Sequence, residues 1–337
     1  MGKDTTFNVL WLQSGGCGGC SLSMLGAEKP HFYEQLRSNS IELLWHPSLS
    51  EASGREVVKI LQDCASGVQR LDALCVEGAL LQGPNGSGRF HMMSGTGRPM
   101  IDWVRELAGR ARYTVAVGSC AAYAGITTAG GNAVDACGLQ YDGDELGGLL
   151  GEEYRSEAAL PVINVSGCAV HPDWIMETLV LLANGELGSE ELDQLGRPRF
   201  YADQLVHHGC LRNEYYEFKA SAVEPSHLGC LMENMGCKGT QAHGDCNNRL
   251  WNGVGSCTRG GYACISCTEP GFEEPGHAFA ETPKFAGIPI GLPTDMPKAW
   301  FVALASLSKS ATPKRVKQNA VADHAVVPPS VRKTGLK

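Results

Sequence analysis

The sequence has no apolar run approaching the ~18 residues of a membrane span, so no transmembrane segment is expected. It has no basic excess either: 28 Lys and Arg face 36 Asp and Glu, for a net charge of −8. That balance leaves no electrostatic footprint for nucleic acid. Also missing are a basic n-region joined to an apolar h-region and a twin-arginine address. Met1 to Thr6 is short and polar, and Phe7–Leu12 already reads as a strand. The expected location is the cytoplasm; export on a secreted partner is a route this sequence would not reveal. No internal repeat occurs. Aromatics (7%) and aliphatics are too plentiful for a disordered chain, and 337 residues suffice for two domains with real cores.

What the chain has in excess is cysteine. Fourteen are too many for an ordinary reduced enzyme. Yet the chain far exceeds the small scaffolds that disulfides staple together. In a cytoplasmic protein these residues are expected as thiols or metal ligands.

The first half alternates β-rich runs with helical patterns. The runs are Phe7–Leu12, Ile41–Trp45, Leu71–Val76, Tyr113–Val117 and Pro161–Val165; the helical patterns are Glu56–Ala65, Met100–Ala111 and Asp173–Ala183. In the last of these, Asp173 can cap the start and Gly185 can stop the end. Alternation of this kind predicts an α/β fold, a flavodoxin-like open parallel sheet covered on both faces, over residues 1–188. From about Ser189 the chain turns rich in Gly, Cys, His and Asn, which predicts a loop-rich domain with short helices over 189–305. Such a segment builds no large apolar core and needs another means of order. Residues 306–337 carry seven Lys or Arg against one Asp. They are expected as a solvated basic tail, or as a docking segment for an acidic partner.

In an open parallel sheet, ligands bind beyond the carboxyl ends of the strands. Three of the five expected strands run into cysteine: Ser14-Gly15-Gly16-Cys17-Gly18-Gly19-Cys20, Gly118-Ser119-Cys120 and Ser166-Gly167-Cys168. Four thiols distant in sequence thus meet at one sheet edge, and the glycines let the backbone approach a bulky inorganic group. One Cys-x-x-Cys alone is weak, since redox pairs share it; four thiols at equivalent strand ends point to a metal site. Zinc and iron–sulfur clusters both accept four thiolates. In the second half, Cys246, Cys257, Cys264 and Cys267 form a compact set, and His207, His208, Cys210, Cys230 and Cys237 supply three thiolates and an imidazole. Twelve candidates sort into three groups of four. Three zinc sites would stabilise the fold without giving it chemistry, whereas three iron–sulfur clusters make a conductor. Cys64, Cys75 and Cys137 read as buried spare thiols, Cys75 lying near the same crevice as Glu77. His171, His227 and His243 show no ligand spacing.

With these motifs the sequence resembles the small, electron-transferring subunit of [NiFe]-hydrogenases. The matching stretches are Asn8 through Cys20, Val76-Glu77-Gly78, Gly118-Ser119-Cys120-Ala121, Gly167-Cys168 with His171-Pro172-Asp173-Trp174, Gly236-Cys237-Lys238-Gly239, and Cys264-Ile265-Ser266-Cys267 through Phe272. They run in order from about residue 7 to 300. The first domain is also similar to the cluster-bearing subunit of respiratory complex I. The resemblance implies a proximal [4Fe–4S] cluster on Cys17, Cys20, Cys120 and Cys168, and a distal one on His207, Cys210, Cys230 and Cys237. It implies a medial cluster on Cys246, Cys264 and Cys267. Many members place proline where Cys257 stands and hold a [3Fe–4S] cluster; here a fourth thiolate implies [4Fe–4S]. Six residues separate Cys230 from Cys237 where many members have five. His207 is preferred over His208 because its spacing to Cys210 matches the family's His-x-x-Cys. Glu77 matches a position near the proximal cluster, where it serves either proton movement or hydrogen bonding.

The resemblance further implies an obligate large subunit holding the nickel–iron centre, so that this chain carries electrons but does not activate hydrogen alone. A higher assembly of heterodimers is expected. The Leu-Gln-Ser-Gly-Gly-Cys-Gly-Gly-Cys start and the basic tail resemble the hydrogen-sensing branch, whose partner is a histidine kinase. A cytoplasmic uptake hydrogenase that passes electrons to a redox acceptor is the alternative. The rival from another class is a zinc-stabilised interaction protein.

Overall fold

The computed structural model describes residues 6–28, 31–274, 282–286, 288–289 and 291–329. The chain divides into two compact units, Met1–Asp203 with Cys267–Pro275, and Gln204–Ser266 with Gly276–Lys337. The expected boundary near residue 188 therefore falls at 203, and a short later segment returns to the first unit.

The first unit is built on five strands, Phe7–Gln13, Ile41–Trp45, Ala73–Glu77, Tyr113–Val117 and Ile163–Val165. In chain order they lie 5-4-3-1-2 across one sheet, and every pairing is parallel. This is the flavodoxin-like winding, whose ligand crevice opens where the order reverses, between the first and third strands. Leu10, Leu12, Leu74 and Val76 pack with Leu61, Val104 and Leu107 from helices Arg55–Ser66 and Met100–Ala108. The alternating Val9, Trp11, Ala73 and Cys75 are just as buried. A two-residue period with both faces apolar is what a sheet covered on two sides requires.

Helix Pro172–Asn184 starts one residue earlier than the pattern predicts. His171, not Asp173, is its cap: its ring Nδ1 accepts from the Asp173 amide at 3.2 Å, and Pro172 takes the first turn, where a missing N–H costs nothing. Gly185 ends the helix in a left-handed conformation, as expected.

The second unit is mostly irregular, with short helices such as Asn213–Glu217. The expected tail is different. Helices Lys298–Ala311 and Lys314–Ala320 run through it, started by Pro297 and Pro313. Val316 and Ala320 are buried within it, and Phe301 just before it. The charged composition concealed these few apolar anchors. Among the described residues, no helix is long and apolar enough to cross a membrane.

Candidate metal centres

Gln13, Glu77 and Val117 stand side by side at the carboxyl end of the sheet. The chain leaves the first and third strands still paired: Ser14 N donates to Glu77 O at 2.7 Å, and Gly15 and Ala79 exchange both backbone bonds. That closeness demands glycine. A Cβ on Gly78, at φ +90°, would lie 2.9 Å from Ser14 C. The fourth and fifth strand ends are tied by Ser119, whose Oγ accepts from Gly167 N at 2.9 Å and donates to the Cys267 carbonyl.

These turns bring Cys17, Cys20, Cys120 and Cys168 into one electrostatic neighbourhood. Burial pushes the Cys120 thiol up to about 12, and the nearby Cys168 and Cys17 push it further the same way. Burial likewise raises Cys20, with Glu77, Cys120 and Cys168 adding to it, and Cys168, with Cys17 adding. A Cβ on Gly118 would fall 2.7 Å from Cys20 Sγ, so the turn at φ +91° makes room for that sulfur. Thiols that burial keeps protonated need a cation to become thiolates.

The carboxylate of Glu77, 3% exposed, sits behind them. Oε1 accepts from Cys20 N (3.0 Å) and Ser21 N (3.1 Å); Oε2 accepts from Trp11 Nε1, Gln13 Nε2 and Ser21 Oγ. Ser21 Oγ also meets His46 Nε2 at 3.1 Å. Because His46 Nδ1 accepts from Ser48 N, Nε2 carries the proton and donates to Ser21. Of the two expectations for Glu77, hydrogen bonding is what the geometry displays.

The distal set lies within the second unit. His207, Cys210, Cys230 and Cys237 line one cavity with ≈ 380 Å³ of empty space, some of it open to solvent. Four buried polar atoms on residues lining it, His207 Nδ1, Asn213 Oδ1, Tyr216 Oη and Thr240 Oγ1, have no hydrogen-bond partner. Orphans of this kind mark a place for another group. Asp295 Oδ2 takes both imidazoles, His207 Nε2 at 2.9 Å and His208 Nε2 at 3.0 Å. With Nε2 donating to the carboxylate, Nδ1 of His207 is unprotonated and keeps a lone pair for a metal, while His208 is the more exposed ring. The two histidines differ in their other nitrogen: His208 Nδ1 accepts from Leu205 N, whereas His207 lines the cavity.

Backbone amides aim at the sulfurs: Arg212 N at Cys210 (3.4 Å), Met232 N at Cys230 (3.5 Å) and Cys264 N at Cys237 (3.3 Å). N–H donors of this sort stabilise thiolate character. Cys246 and Cys237 pack against buried Cys264 in one small apolar cluster. Asn247 ties the Cys246 and Cys257 segments by donating to Val206 O and accepting from Ser256 and Thr258. Cys257 is exposed. Cys267, three residues beyond Cys264, opens the segment that belongs to the first unit.

The spacing of the thiols bears on the metal. Among the described residues, the only three ligand atoms of His, Cys, Asp or Glu within 4.8 Å of one another are those of His207, His208 and Asp295. A tetrahedral zinc with Zn–S bonds of about 2.3 Å would hold its sulfurs roughly 3.8 Å apart. Among the described residues, no three sulfurs of the proximal or the distal set come within 4.8 Å of one another.

Two family models match the chain: the 20 Kd subunit of NADH ubiquinone oxidoreductase over residues 17–182, and the C-terminal region of NiFe/NiFeSe hydrogenase small subunits over 202–280. The F420 non-reducing hydrogenase I small subunit of Methanosarcina mazei is 33% identical over 293 residues, 79% of this chain and 73% of the relative. The periplasmic [NiFeSe] hydrogenase small subunit of Desulfomicrobium baculatum is 32% identical, covering 79% of this chain and 84% of that one. The chain belongs to the nickel–iron hydrogenase small subunits. Among solved structures, the actinobacterial-type NiFe-hydrogenase of Ralstonia eutropha H16 matches 98% of this small subunit and 95% of its own chain, at a TM-score of 0.73 and 28% identity. The reduced NiFeSe hydrogenase of Desulfomicrobium baculatum matches at 0.69 and 31%, over 82% of this small subunit and its own whole chain.

Several residues of this hydrogenase subunit's centres have no signal in the sequence. Asp295 lies 88 positions from His207, and His46 lies 25 from Ser21. Neither sits in a motif. Cys64, Cys75 and Cys137 are buried, as expected of spare thiols.

Proposed function

We propose that this hydrogenase small subunit carries electrons singly between the nickel–iron centre of its large subunit and an outside acceptor, through three iron–sulfur clusters. Cys17, Cys20, Cys120 and Cys168 hold the proximal [4Fe–4S] cluster. Cys246, Cys257, Cys264 and Cys267 hold a medial [4Fe–4S] cluster, and His207, Cys210, Cys230 and Cys237 hold the distal one. The observation that carries this reading is the distal cavity, where three thiols and one oriented imidazole surround space bordered by unpartnered polar atoms. When bound, such clusters accept and return one electron each with little rearrangement.

The chain's own residues set the conditions. Amide N–H groups stabilise negative charge on sulfur, which raises a cluster's potential, and the neutral imidazole at the distal site does the same relative to a thiolate. Asp295 fixes the ring. Glu77, buried among five donors, anchors the turn that carries Cys20. The medial assignment is tested at Cys257: Cys257→Ala leaves three thiolates, and the oxidised complex should then show the electron paramagnetic resonance of a three-iron cluster. An unchanged spectrum contradicts ligation by Cys257.

The hydrogen-sensing role in the cytoplasm, with a histidine kinase as partner, is the branch favoured here. Its support is the basic C-terminal segment, where Lys314 and Lys317 are exposed on a packed helix. The double substitution Lys314→Glu with Lys317→Glu should abolish kinase pairing while hydrogen-dependent dye reduction persists. Unimpaired pairing returns the assignment to an uptake enzyme.

A further inference from the structure

A second cavity of the same unit adjoins the distal set. Tyr216, Cys230 and Met232 line both cavities and so form the partition between them. The second is part cavity and part open groove, and its ≈ 540 Å³ of empty space includes the solvent at its mouth. Its apolar lining includes Met232, Ile288, Pro289 and Phe301.

Its charges are unequal. Glu233 is answered by Lys309 at 2.7 Å and by the Ser221 hydroxyl. Lys219 has no carboxylate within ion-pair distance among the described residues. Its ammonium lies 3.8 Å from the centre of the Tyr216 ring and 4.3 Å from that of Phe301. Glu217, Glu233 and Asp295 act on it only from beyond ion-pair distance, so a cation held over aromatic faces keeps its N–H donors available to a partly negative oxygen. Flat apolar walls, one available ammonium and contact with a distal cysteine together describe a ligand: an aromatic ring bearing carbonyl oxygens and able to take electrons.

We propose that this cavity binds a one- or two-ring quinone, the oxidant for hydrogen in this complex. The inference rests on the reading that Cys230 belongs to the electron-exit site. One quinone takes up two electrons and two protons, both carbonyl oxygens ending as hydroxyls, while one hydrogen molecule yields two electrons and two protons in the heterodimer. Nothing else is consumed. Lys219 faces the oxygen on which negative charge develops, and Ala305, which also lines the cavity, is where added bulk would close it.

The test is calorimetric titration of the oxidised holo-heterodimer with 1,4-naphthoquinone, alongside hydrogen-dependent reduction of that quinone and of a viologen dye. Saturable binding to one site is expected. Ala305→Phe should abolish it and leave viologen reduction and the cluster spectra unchanged. Lys219→Met should raise both Kd and KM for the quinone about tenfold with kcat nearly kept, as loss of a charge-assisted contact does, and Lys219→Arg should restore them. Absence of saturable binding in a complex whose reduced spectrum shows the distal cluster overturns the quinone site and leaves the relay standing. If that spectrum lacks the distal cluster, both fall. Binding that survives Ala305→Phe, or 2-naphthoate binding where naphthoquinone does not, also overturns the proposal.

Discussion

A carboxylate three residues before a helix holds two adjacent histidines, of which His207 lines the distal cavity. Asp295 accepts from Nε2 of both rings, and its own acidity is strengthened by those bonds despite partial burial. Removing it leaves the His207 ring free to turn Nδ1 away. Asp295→Ala should therefore cost roughly ten- to a hundredfold in distal-cluster retention or in hydrogen-dependent dye reduction, as loss of an outer ligand partner does. Quantitative electron paramagnetic resonance of the distal signal checks it. His46 makes a pH prediction. It is fully buried, and burial holds its imidazole down to about 4, against the ordinary 6.5. The unfolded chain therefore binds the extra proton between those values, and the folded state loses stability as pH falls from 6.5 toward 4. The full stability is present above 6.5. Melting of the complex should drop more steeply between pH 7 and 5 than that of His46→Gln, whose amide does not titrate. Equal slopes would contradict it. None of these partners was legible in the sequence, because each arrives from a distant segment, whereas the cysteines announce themselves by spacing and by the glycines beside them.

Strands and long helices were legible for a different reason. Ile41–Trp45 and Tyr113–Val117 lie as the β-rich runs predicted, since both faces of a parallel sheet are buried and the apolar run is continuous. The first strand extends one residue further, and the third starts two residues later and ends one later, at Glu77. The C-terminal segment was hidden by its composition. Seven basic residues suggested solvation, but Val316 is fully buried with Ala220 and Ala320, and the backbone of Ala320 accepts from Gly229 beside Cys230. The helix is held by a few contacts that no charge count reveals. Val316→Asp places an unpaired carboxylate there and should cost about 2–4 kcal/mol locally. Limited trypsin digestion would then cut at Lys314, Arg315 and Lys317 several-fold faster than in the wild-type complex. An unchanged digestion rate would show that the segment is not anchored at Val316.

At the scale of the molecule, a sheet edge and a loop-built unit each gather thiols. Among the described residues, the apolar clusters of the second unit are small, three buried residues apiece. On the proposed reading, cross-linking by inorganic clusters would supply the order that so little apolar burial cannot. Family membership accounts for the large subunit as partner, and the chain's own geometry for where electrons would leave. The most direct measurement is iron, acid-labile sulfide and zinc in the anaerobically purified heterodimer. The relay predicts about twelve iron and about twelve sulfide from this subunit, with negligible zinc. A preparation active in hydrogen oxidation but holding stoichiometric zinc and no sulfide in this subunit would contradict it.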